Sequence, residues 1–266
     1  MNFKRKTSGQ ATLVIVLIVM VTSLGIGVAA ANRAVSNIRR TTYSQQADQA
    51  YNCARAGAED GVSKVYAGTV GTLPYTNPAV TLKDQAEAVD VCSYNYTIRS
   101  VLEYESSMCT YSLDSVIPQD DVFEVNLESY NGGFQFHWQT GAGLEVTLIK
   151  GSSSPFDVEK SAYSCGTSRS GFTPGSSSTL TGYSCYGNIN LSGSYKIARI
   201  RPLFADTKIK VGFVSGSCSG IPEQGYKIES TGMAVDAVRK LQVKVSRPQM
   251  SAIFDYAIFS GGDISK

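Results

Sequence analysis

The stretch Lys4-Arg5-Lys6-Thr7-Ser8-Gly9-Gln10 leads directly into an uncharged, predominantly apolar run from Ala11 to Ala31, and it decides the fold. A helix of about 20 apolar residues is roughly 30 Å long, which matches the hydrocarbon core of a bilayer. The basic residues in front of this run are typical of an export signal. We therefore predict a transmembrane helix over residues 11–31. The alternative is an ordinary secretory signal cut after Ala29-Ala30-Ala31, which would remove the helix.

The same residues resemble the class III signal of type IV pilins and of the pseudopilins of type II secretion. In that family a prepilin peptidase cuts after a glycine on the cytoplasmic side of the membrane. The resemblance implies a cytoplasmic leader over residues 1–9, cleavage after Gly9 and a new, usually methylated amino terminus at Gln10. Major pilins carry Glu at the fifth residue after the cut, where this chain has Val14. We therefore expect a PilX-like minor pilin or a minor pseudopilin rather than the main shaft subunit.

The helical pattern continues beyond the membrane span, because apolar residues recur at three- and four-residue steps. These residues are Ala34, Val35, Ile38, Tyr43, Ala47, Ala50, Tyr51, Ala54, Ala58, Val62 and Val65. We predict one helix over residues 10–67, with a membrane-spanning half and a half that packs on a head domain. The segment from Gln49 to Gly61 is similar to a helix segment of PilX-like proteins, except at Cys53 and Arg55. Cys53 is either a tether to the head or a buried thiol.

Alternation with period two follows the helix and predicts short antiparallel strands. It is clearest at Phe123-Val125-Leu127, Phe134-Phe136-Trp138, Leu144-Val146-Leu148, Ile209-Val211-Phe213, Leu241-Val243-Val245 and Phe254-Tyr256-Ile258. Gly, Ser and Asn between these runs favour tight turns and a β-sandwich. We predict an α+β protein: a long N-terminal helix followed by a mainly antiparallel β head with a β-sandwich insert.

Two short segments suggest how the head is organised, since Tyr96-Thr97-Ile98-Arg99-Ser100 and Tyr226-Lys227-Ile228-Glu229-Ser230 share the pattern Y-x-I-x-S. The repeat is either chance or a pair of strands in one small sheet on the helix. In the second case the chain between them forms the insert. We predict a pilin-like head over residues 68–112 and 219–266, and a sandwich over residues 113–218. The stretch 254–262 also resembles the tail of large PilX-like proteins.

The cysteines decide the orientation of the chain. Lys4, Arg5 and Lys6 before the span nearly balance Arg33, Arg39 and Arg40 after it, so the positive-inside rule alone gives a near tie. All six cysteines follow the span, and an even number favours an oxidising compartment. The alternative is a reduced cytosolic protein with buried thiols. We expect a bacterial inner-membrane protein with one span, an extracytoplasmic head, and an extracellular location once assembled in a filament.

Three disulfides follow from this orientation. Cys165–Cys185 is the first choice, because it closes a long Ser/Gly-rich loop. Cys92–Cys109 is the next, and Cys53–Cys218 is what remains. Six cysteines allow 15 pairings, so the second and third assignments are open.

Catalytic and cofactor motifs are absent from the sequence. The one histidine, His137, alternates with Phe136 and Trp138, so it should face away from them as an exposed strand residue. No cysteine pair has zinc-ligand spacing, and no Gly-rich phosphate loop follows a strand. The compact acidic group could ligate calcium, although solvated turn carboxylates are the simpler interpretation. Its members are Asp114, Asp120, Asp121 and Glu124. We predict a protein that is not an enzyme and has no cofactor.

Two groups of basic residues lie on predicted strands, and the formal net charge is +2. One consists of Arg199, Arg201, Lys208 and Lys210, and the other of Arg239, Lys240, Lys244 and Arg247. Such surfaces could contact DNA phosphates, but solvated strand positions and charged edge strands have the same pattern. We do not expect a nucleic-acid partner. The expected partners are other pilin subunits through the N-terminal helix, the prepilin peptidase, the bilayer, and a ligand on a host or cell surface.

These features together predict a filament subunit that presents a surface for adhesion or for filament priming. The competing hypothesis is an extracytoplasmic binding protein that stays anchored in the membrane and never enters a filament. The two hypotheses share the same helix and head. They differ in whether the mature chain is found in filaments or only in the membrane.

Overall fold

In the computed structural model, which describes residues 8–83, 90–113, 115–128, 130–151 and 156–250, helix α1 spans Ser8–Tyr66 and is 59 residues long. No proline interrupts these residues, so every turn can keep its hydrogen bond. Two residues after the helix comes Gly68, whose φ of 65° lies in the left-handed region that glycine adopts most easily. The predicted long helix is therefore confirmed.

Fifteen strands in three sheets follow the helix in the described residues. They are β1 Tyr75–Lys83, β2 Asp90–Ser100, β3 Glu103–Glu105, β4 Met108–Ser112, β5 Phe123–Asn126, β6 Gly132–Trp138, β7 Gly143–Lys150, β8 Asp157–Ser164, β9 Thr173–Pro174, β10 Ser176–Ser177, β11 Cys185–Leu191, β12 Tyr195–Leu203, β13 Ile209–Phe213, β14 Gly225–Ala234 and β15 Ala237–Ser246. The sheet orders are β1-β2-β14-β15, β10-β11-β6-β13-β4-β3 and β5-β12-β7-β8-β9. This is the α+β layout that the sequence predicts.

The chain divides into two compact units. The first contains Met1–Asp60, Asn77–Tyr96 and Ser230–Leu241, and the second contains Gly61–Thr76, Thr97–Glu229 and Gln242–Lys266. The first unit therefore combines most of α1 with parts of the four-stranded sheet. The second unit holds the other two sheets. The predicted tail motif at residues 254–262 lies outside the described residues.

The four-stranded sheet explains the repeated Y-x-I-x-S pattern. Strands β2 and β14, which carry the two copies, are neighbours in this sheet. Tyr96 in β2 and Ser230 in β14 are both buried, and each exposes only 1% of its surface. The expectation that both copies belong to one sheet is confirmed.

The second unit contains a β-sandwich whose two sheets share one hydrophobic core. Alternate residues of β6 and β12 point inward, and Phe136 and Ile200 are fully buried. Antiparallel pairing aligns Phe136 with Val211 and Ile200 with Val146. Each large apolar side chain that is buried in such a core contributes roughly 1.5–3 kcal/mol. Strands β8 and β9 are the exception to antiparallel pairing in the sandwich, since they run parallel to each other.

The sandwich begins earlier in the chain than the predicted insert over residues 113–218. Strands β3 and β4 precede residue 113, and both belong to the six-stranded sheet. Phe213 in β13 pairs with Cys109 in β4, so the two strands enter and leave the sandwich side by side. The weak alternation of Met108–Ser112, in which four of five residues are buried, hid this strand from the sequence pattern.

The structure confirms one predicted disulfide and corrects the other two. Cys165 and Cys185 are bonded, with their Cα atoms 5.8 Å apart. Cys92–Cys109 and Cys53–Cys218 are wrong, since the bonds are Cys53–Cys92 and Cys109–Cys218, with Cα separations of 6.3 and 5.3 Å. Cys92 and Cys109 are close in sequence but lie in different sheets, where Cys92 faces α1 and Cys109 lies next to β13. Cys53 is therefore a tether rather than a free thiol.

Candidate assembly surface

The membrane-proximal half of α1 exposes its large apolar side chains on all sides. From Leu13 to Val28 each of them is more than half exposed, between 52% at Val16 and 72% at Leu24. This helix is long and apolar enough to cross a membrane. Hydrophobic side chains in such numbers need a cover of lipid or of other helices.

Polar side chains within this half of the helix are satisfied locally. The Thr22 hydroxyl donates to the carbonyl of Ile18 at 2.9 Å, and the Ser23 hydroxyl donates to the carbonyl of Met20 at 3.0 Å. A hydroxyl that bonds to its own helix removes most of the cost of entering hydrocarbon. These residues are therefore compatible with a lipid environment and with close helix contacts.

A second exposed section extends from residue 32 to residue 45. Val35, Ile38 and Tyr43 are 49%, 65% and 62% exposed, although they lie beyond the predicted membrane span. Arg39 and Arg40 are exposed beside them. We call the apolar side chains from Leu13 to Val28, together with Val35, Ile38 and Tyr43, the assembly surface.

Helix α1 then docks on its sheet through small residues within the first unit. Ala50, Cys53 and Ala54 each expose at most 1% of their surface. A Cβ atom at Gly232 in β14 would collide with the backbone of Ala50 and Ala54, so only glycine permits this approach. The Cys53–Cys92 bond adds a covalent link at the same place. The head end of the helix is thus held firmly while the assembly surface is uncovered.

This close approach makes Gly232 a sensitive position. Replacing Gly232 with Ala should lower the free energy of unfolding by about 1–3 kcal/mol, because the added methyl group must push the helix backbone away. Gly216→Ala is the matched control, since no atom lies within 4 Å of a Cβ at that position. Thermal melting of the two variants checks the prediction. Equal melting temperatures would contradict the described helix–sheet contact.

The predicted processing residues lie at the beginning of α1. Gly9 and Gln10 are helical in their backbone, and residues 1–7 of the predicted leader lie outside the described residues. Val14 is 55% exposed on the assembly surface. Val14 is therefore apolar like the exposed residues around it, whereas the major pilins carry Glu at the corresponding position.

The structure does not assemble the predicted calcium ligands. The Asp121 carboxylate accepts from the backbone N–H of Val122 at 2.8 Å, while Glu124 is 2.6 Å from the guanidinium of Arg199. Asp120 contacts the side chain of Gln119, and Asp114 lies outside the described residues. Within the described ranges, no group of three or more acidic, His or Cys side chains could hold a metal ion.

His137 is buried, which corrects the predicted exposed position. Its ring is 1% exposed, its Nδ1 lies 2.9 Å from the hydroxyl of Ser178, and Tyr186 stacks on it at 5.6 Å. Strand β11 pairs with β6 in the same sheet, and Ser178 and Tyr183 from the segment between β10 and β11 contact the ring beside Tyr186. Strand alternation cannot reveal these contacts. Burial lowers the pKa of His137 to about 4, assisted by the charge of Lys210, so the ring is neutral at pH 7.

His137 and Ser178 do not form a catalytic triad in the described part of the chain. Nε2 of the histidine has no hydrogen-bond partner there, so no carboxylate orients the ring. A pKa near 4 also makes the histidine a poor general base at neutral pH. The contact is best understood as packing between the sheet and its covering segment.

The first basic group is largely neutralised by carboxylates. Arg199, with a side chain only 2% exposed, pairs with Glu124. Arg201 and Lys210 pair with Glu145 and Glu105, respectively. Lys208 of the same group is exposed, and so are all four members of the second group, Arg239, Lys240, Lys244 and Arg247. Phosphate contact through the first group would require three ion pairs to break.

The second unit contains a cavity of about 200 Å³, below the usual size of ligand pockets. Two of its lysines have carboxylate partners, since Lys210 pairs with Glu105 and Lys227 pairs with Glu229 at 3.0 Å. The half-buried Glu223 accepts from Ser100, which lines the cavity, and burial raises the pKa of Glu223. These balanced charges give the cavity no clear preference for an anion or a cation.

Comparison with known proteins identifies no relative, because no family model matches this chain and no curated protein matches it. The long apolar N-terminal helix and the β-rich head are compatible with a pilin-like fold. The described residues therefore show a helix that could anchor in a membrane and that is docked on part of the four-stranded sheet and linked to it by Cys53–Cys92.

Proposed function

We propose that this chain is a structural subunit of a type IV pilus or a related filament, and specifically a PilX-like minor pilin or minor pseudopilin without enzymatic activity. The assembly surface is the observation that carries the proposal. This surface lies on a helix that is able to cross a membrane. Val35, Ile38 and Tyr43 continue its apolar character past the predicted membrane boundary. A simple anchor does not need that continuation.

The mechanism is assembly rather than chemistry. The helix first holds the subunit in the bacterial inner membrane, the prepilin peptidase removes the leader after Gly9, and the helix then moves from lipid into a bundle of helices. Because the apolar side chains from Leu13 to Val28 face all directions, they suit lipid in the first state and neighbouring helices in the second. The docked half, fixed by Cys53–Cys92, carries the head along.

Val14 determines how the subunit would join its neighbours. A Glu at this position would pair with the amino terminus of a neighbour, as the resemblance to major pilins implies, whereas valine cannot. An uncharged position 14 has no cost in the bilayer, so residence in the membrane is easy. Incorporation then depends on van der Waals packing along α1 and on contacts of the head.

The head would lie outside the cytoplasm and become extracellular in the filament. Three disulfides support an oxidising environment. The sandwich offers a large surface for adhesion or for priming the filament tip. The partners in this proposal are other pilin subunits, the prepilin peptidase, the bilayer and a ligand on a host or cell surface. Nucleic acid has little support in the first basic group, because three of its four members are ion-paired.

A permanently anchored binding protein is the second candidate, and Val14 favours it. Without a carboxylate at this position, the subunit lacks the usual attraction to a growing filament. In this alternative the exposed residues of the section 32–45 would contact lipid headgroups or a membrane partner. The two candidates predict different locations for the mature protein.

Processing tests the signal that both the fold and the mechanism depend on. When the chain is produced together with a prepilin peptidase, we expect loss of residues 1–9 and a mature protein that starts at Gln10. N-terminal sequencing measures this directly, and Gly9→Lys is a control that should leave the leader attached. A mature protein that begins near Asn32 would instead indicate an ordinary secreted domain and would contradict the proposal.

A further inference from the structure

A cluster of an arginine and two aromatic rings lies at one end of the sandwich. Strand β4 begins and β13 ends at the other end, where Cys109 pairs with Phe213. At the end with the cluster, Gly143 at the start of β7 pairs with Leu203 at the end of β12. Three side chains stack at this end, and we call them the distal stack. They are Arg169, Phe172 and Phe204.

A tight turn sets two members of the distal stack in place. The backbone N–H of Phe172 donates to the carbonyl of Arg169 at 3.2 Å, which closes a four-residue turn. Gly171, the third residue of this turn, has a φ of 80°, the conformation for which a type II turn requires glycine. The Cys165–Cys185 bond closes the surrounding segment. The turn therefore holds both side chains in fixed positions.

The third member, Phe204, completes the stack. The guanidinium carbon of Arg169 lies 3.8 Å from the centroid of the Phe204 ring, and the Phe172 ring lies 5.7 Å from it. Both rings rest on Gly143, where an added Cβ would lie 3.1 Å from Phe204 and 3.2 Å from Phe172. The ring face of Phe204 is thus already covered by an arginine.

Phe204 occupies an unfavourable backbone conformation. Its φ is 75°, which is uncommon for any residue except glycine and a true outlier for a bulky one. The side chain is also 48% exposed, so burial returns only part of the cost. Strained residues of this kind cluster at binding sites. The strain is a second, independent reason to examine the distal stack as a site.

The charge of Arg169 indicates what the site would bind. In the ranges that the structure describes, Arg169 forms no ion pair, whereas Lys160, Arg199 and Arg201 of the same unit do. The guanidinium group is planar, and its N–H donors form a fork that suits two-point binding of a carboxylate. Arg169 already covers one face of the Phe204 ring, so a sugar ring cannot stack on that face. The exposed ring edges suit an apolar side chain instead.

We propose that the distal stack is an anchor for a protein partner, which it recognises by a carboxylate that lies beside an apolar side chain. Arginine and aromatic residues are the residue types most enriched at the energetic centres of protein interfaces. This inference rests on the proposed function in one respect, that the head presents a surface for adhesion or priming. It names the class of partner for that surface.

Binding to immobilised peptides tests this anchor. The full chain in detergent micelles is passed over resin that carries a dense Leu-Asp-Leu peptide and over resin that carries Leu-Asn-Leu. We expect retention on the aspartate resin alone. Arg169→Gln should reduce that retention about tenfold, the effect of removing a binding contact of interface-anchor strength. Arg169→Lys should also reduce it, because lysine lacks the planar fork.

Two further variants make the result specific. Phe204→Gly removes the ring but suits the positive φ, so it should reduce retention without lowering the melting temperature. Lys208→Gln is the matched control, since it removes one exposed positive charge outside the stack and should leave retention unchanged. Melting of every variant separates a loss of binding from a loss of fold.

Several outcomes would overturn the anchor. The first is equal retention on the two peptide resins. The second is a loss of retention with Lys208→Gln as large as with Arg169→Gln. The third is preferential retention on a glucuronate resin, which would indicate an acidic glycan. Each of these leaves the filament proposal intact, because peptide retention does not depend on assembly. A chain that discriminates between the two peptides but never leaves the membrane fraction would support the anchor and contradict the filament proposal.

Discussion

Replacing Ile18 with Arg should abolish incorporation of this chain into filaments. Ile18 is 55% exposed on the assembly surface, near the centre of the apolar section. An unpaired charge near the bilayer centre costs roughly 2.5–3.5 kcal/mol on insertion scales, and it would also disturb a packed bundle of helices. Since Val14 provides no compensating carboxylate, nothing in the same helix section offsets this cost. Val16→Arg should have the same effect.

Immunoblots of sheared filaments and of membranes measure this effect. Val235→Arg is the control, because Val235 is 79% exposed in the turn between β14 and β15, far along the chain from the assembly surface. The control should enter filaments at the level of the unaltered chain. Normal incorporation of Ile18→Arg would mean that head contacts alone recruit the subunit, and the assembly surface would lose its proposed role.

Removal of the Cys109–Cys218 bond should have the largest effect on stability. This bond closes a separation of 109 residues, compared with 20 for Cys165–Cys185. In the chain-entropy model, a loop of about 100 residues contributes about 4.7 kcal/mol and a loop of about 15 residues about 3 kcal/mol. The double variant Cys109→Ser/Cys218→Ser should therefore melt at a lower temperature than Cys165→Ser/Cys185→Ser.

Peptide mapping without reduction should first confirm the pairs Cys53–Cys92, Cys109–Cys218 and Cys165–Cys185. Thermal melting of the two double variants then checks their order. A greater loss in the Cys165/Cys185 variant would show that strain or residual structure outweighs loop length. Six free thiols in the mature protein would contradict the oxidising compartment itself.

The sequence predicted those features that arise from local patterns. The unbroken helical periodicity from the membrane span to Val65 predicted α1, and alternation at Phe134-Phe136-Trp138 predicted the core of β6. The short Y-x-I-x-S repeat suggested that β2 and β14 belong to one sheet, in which they are neighbours, and the central isoleucine of each copy, Ile98 and Ile228, is fully buried.

Features that depend on distant contacts were not predictable in the same way. The partner of Cys92 is in α1 because β2 packs on that helix, whereas separation in the sequence favoured Cys109. His137 is buried because Ser178, Tyr183 and Tyr186, from a distant part of the chain, contact its ring. Arg199 occupies a polar strand position, yet Glu124 and the backbone of Met250 enclose it. In each case a tertiary neighbour, rather than the local pattern, determines the environment.

The distal stack had only a faint signal in the sequence. The Arg-Ser-Gly-Phe turn at residues 169–172 is readable from its glycine, but Phe204 belongs to a loop more than thirty residues away. Only the pairing of Gly143 with Leu203 brings the two segments to the same end of the sandwich. The strained φ of Phe204 cannot be inferred from the composition of the chain.

The location of the mature chain tests the central claim most directly. Cells that produce the unaltered chain together with its filament machinery are sheared, and filaments and membranes are analysed by quantitative mass spectrometry. The proposal predicts the chain in the filament fraction at low abundance, with Gln10 as its first residue. Finding it wholly in the membrane fraction, with filaments unaffected by its deletion, would contradict the proposal and favour the anchored binding protein.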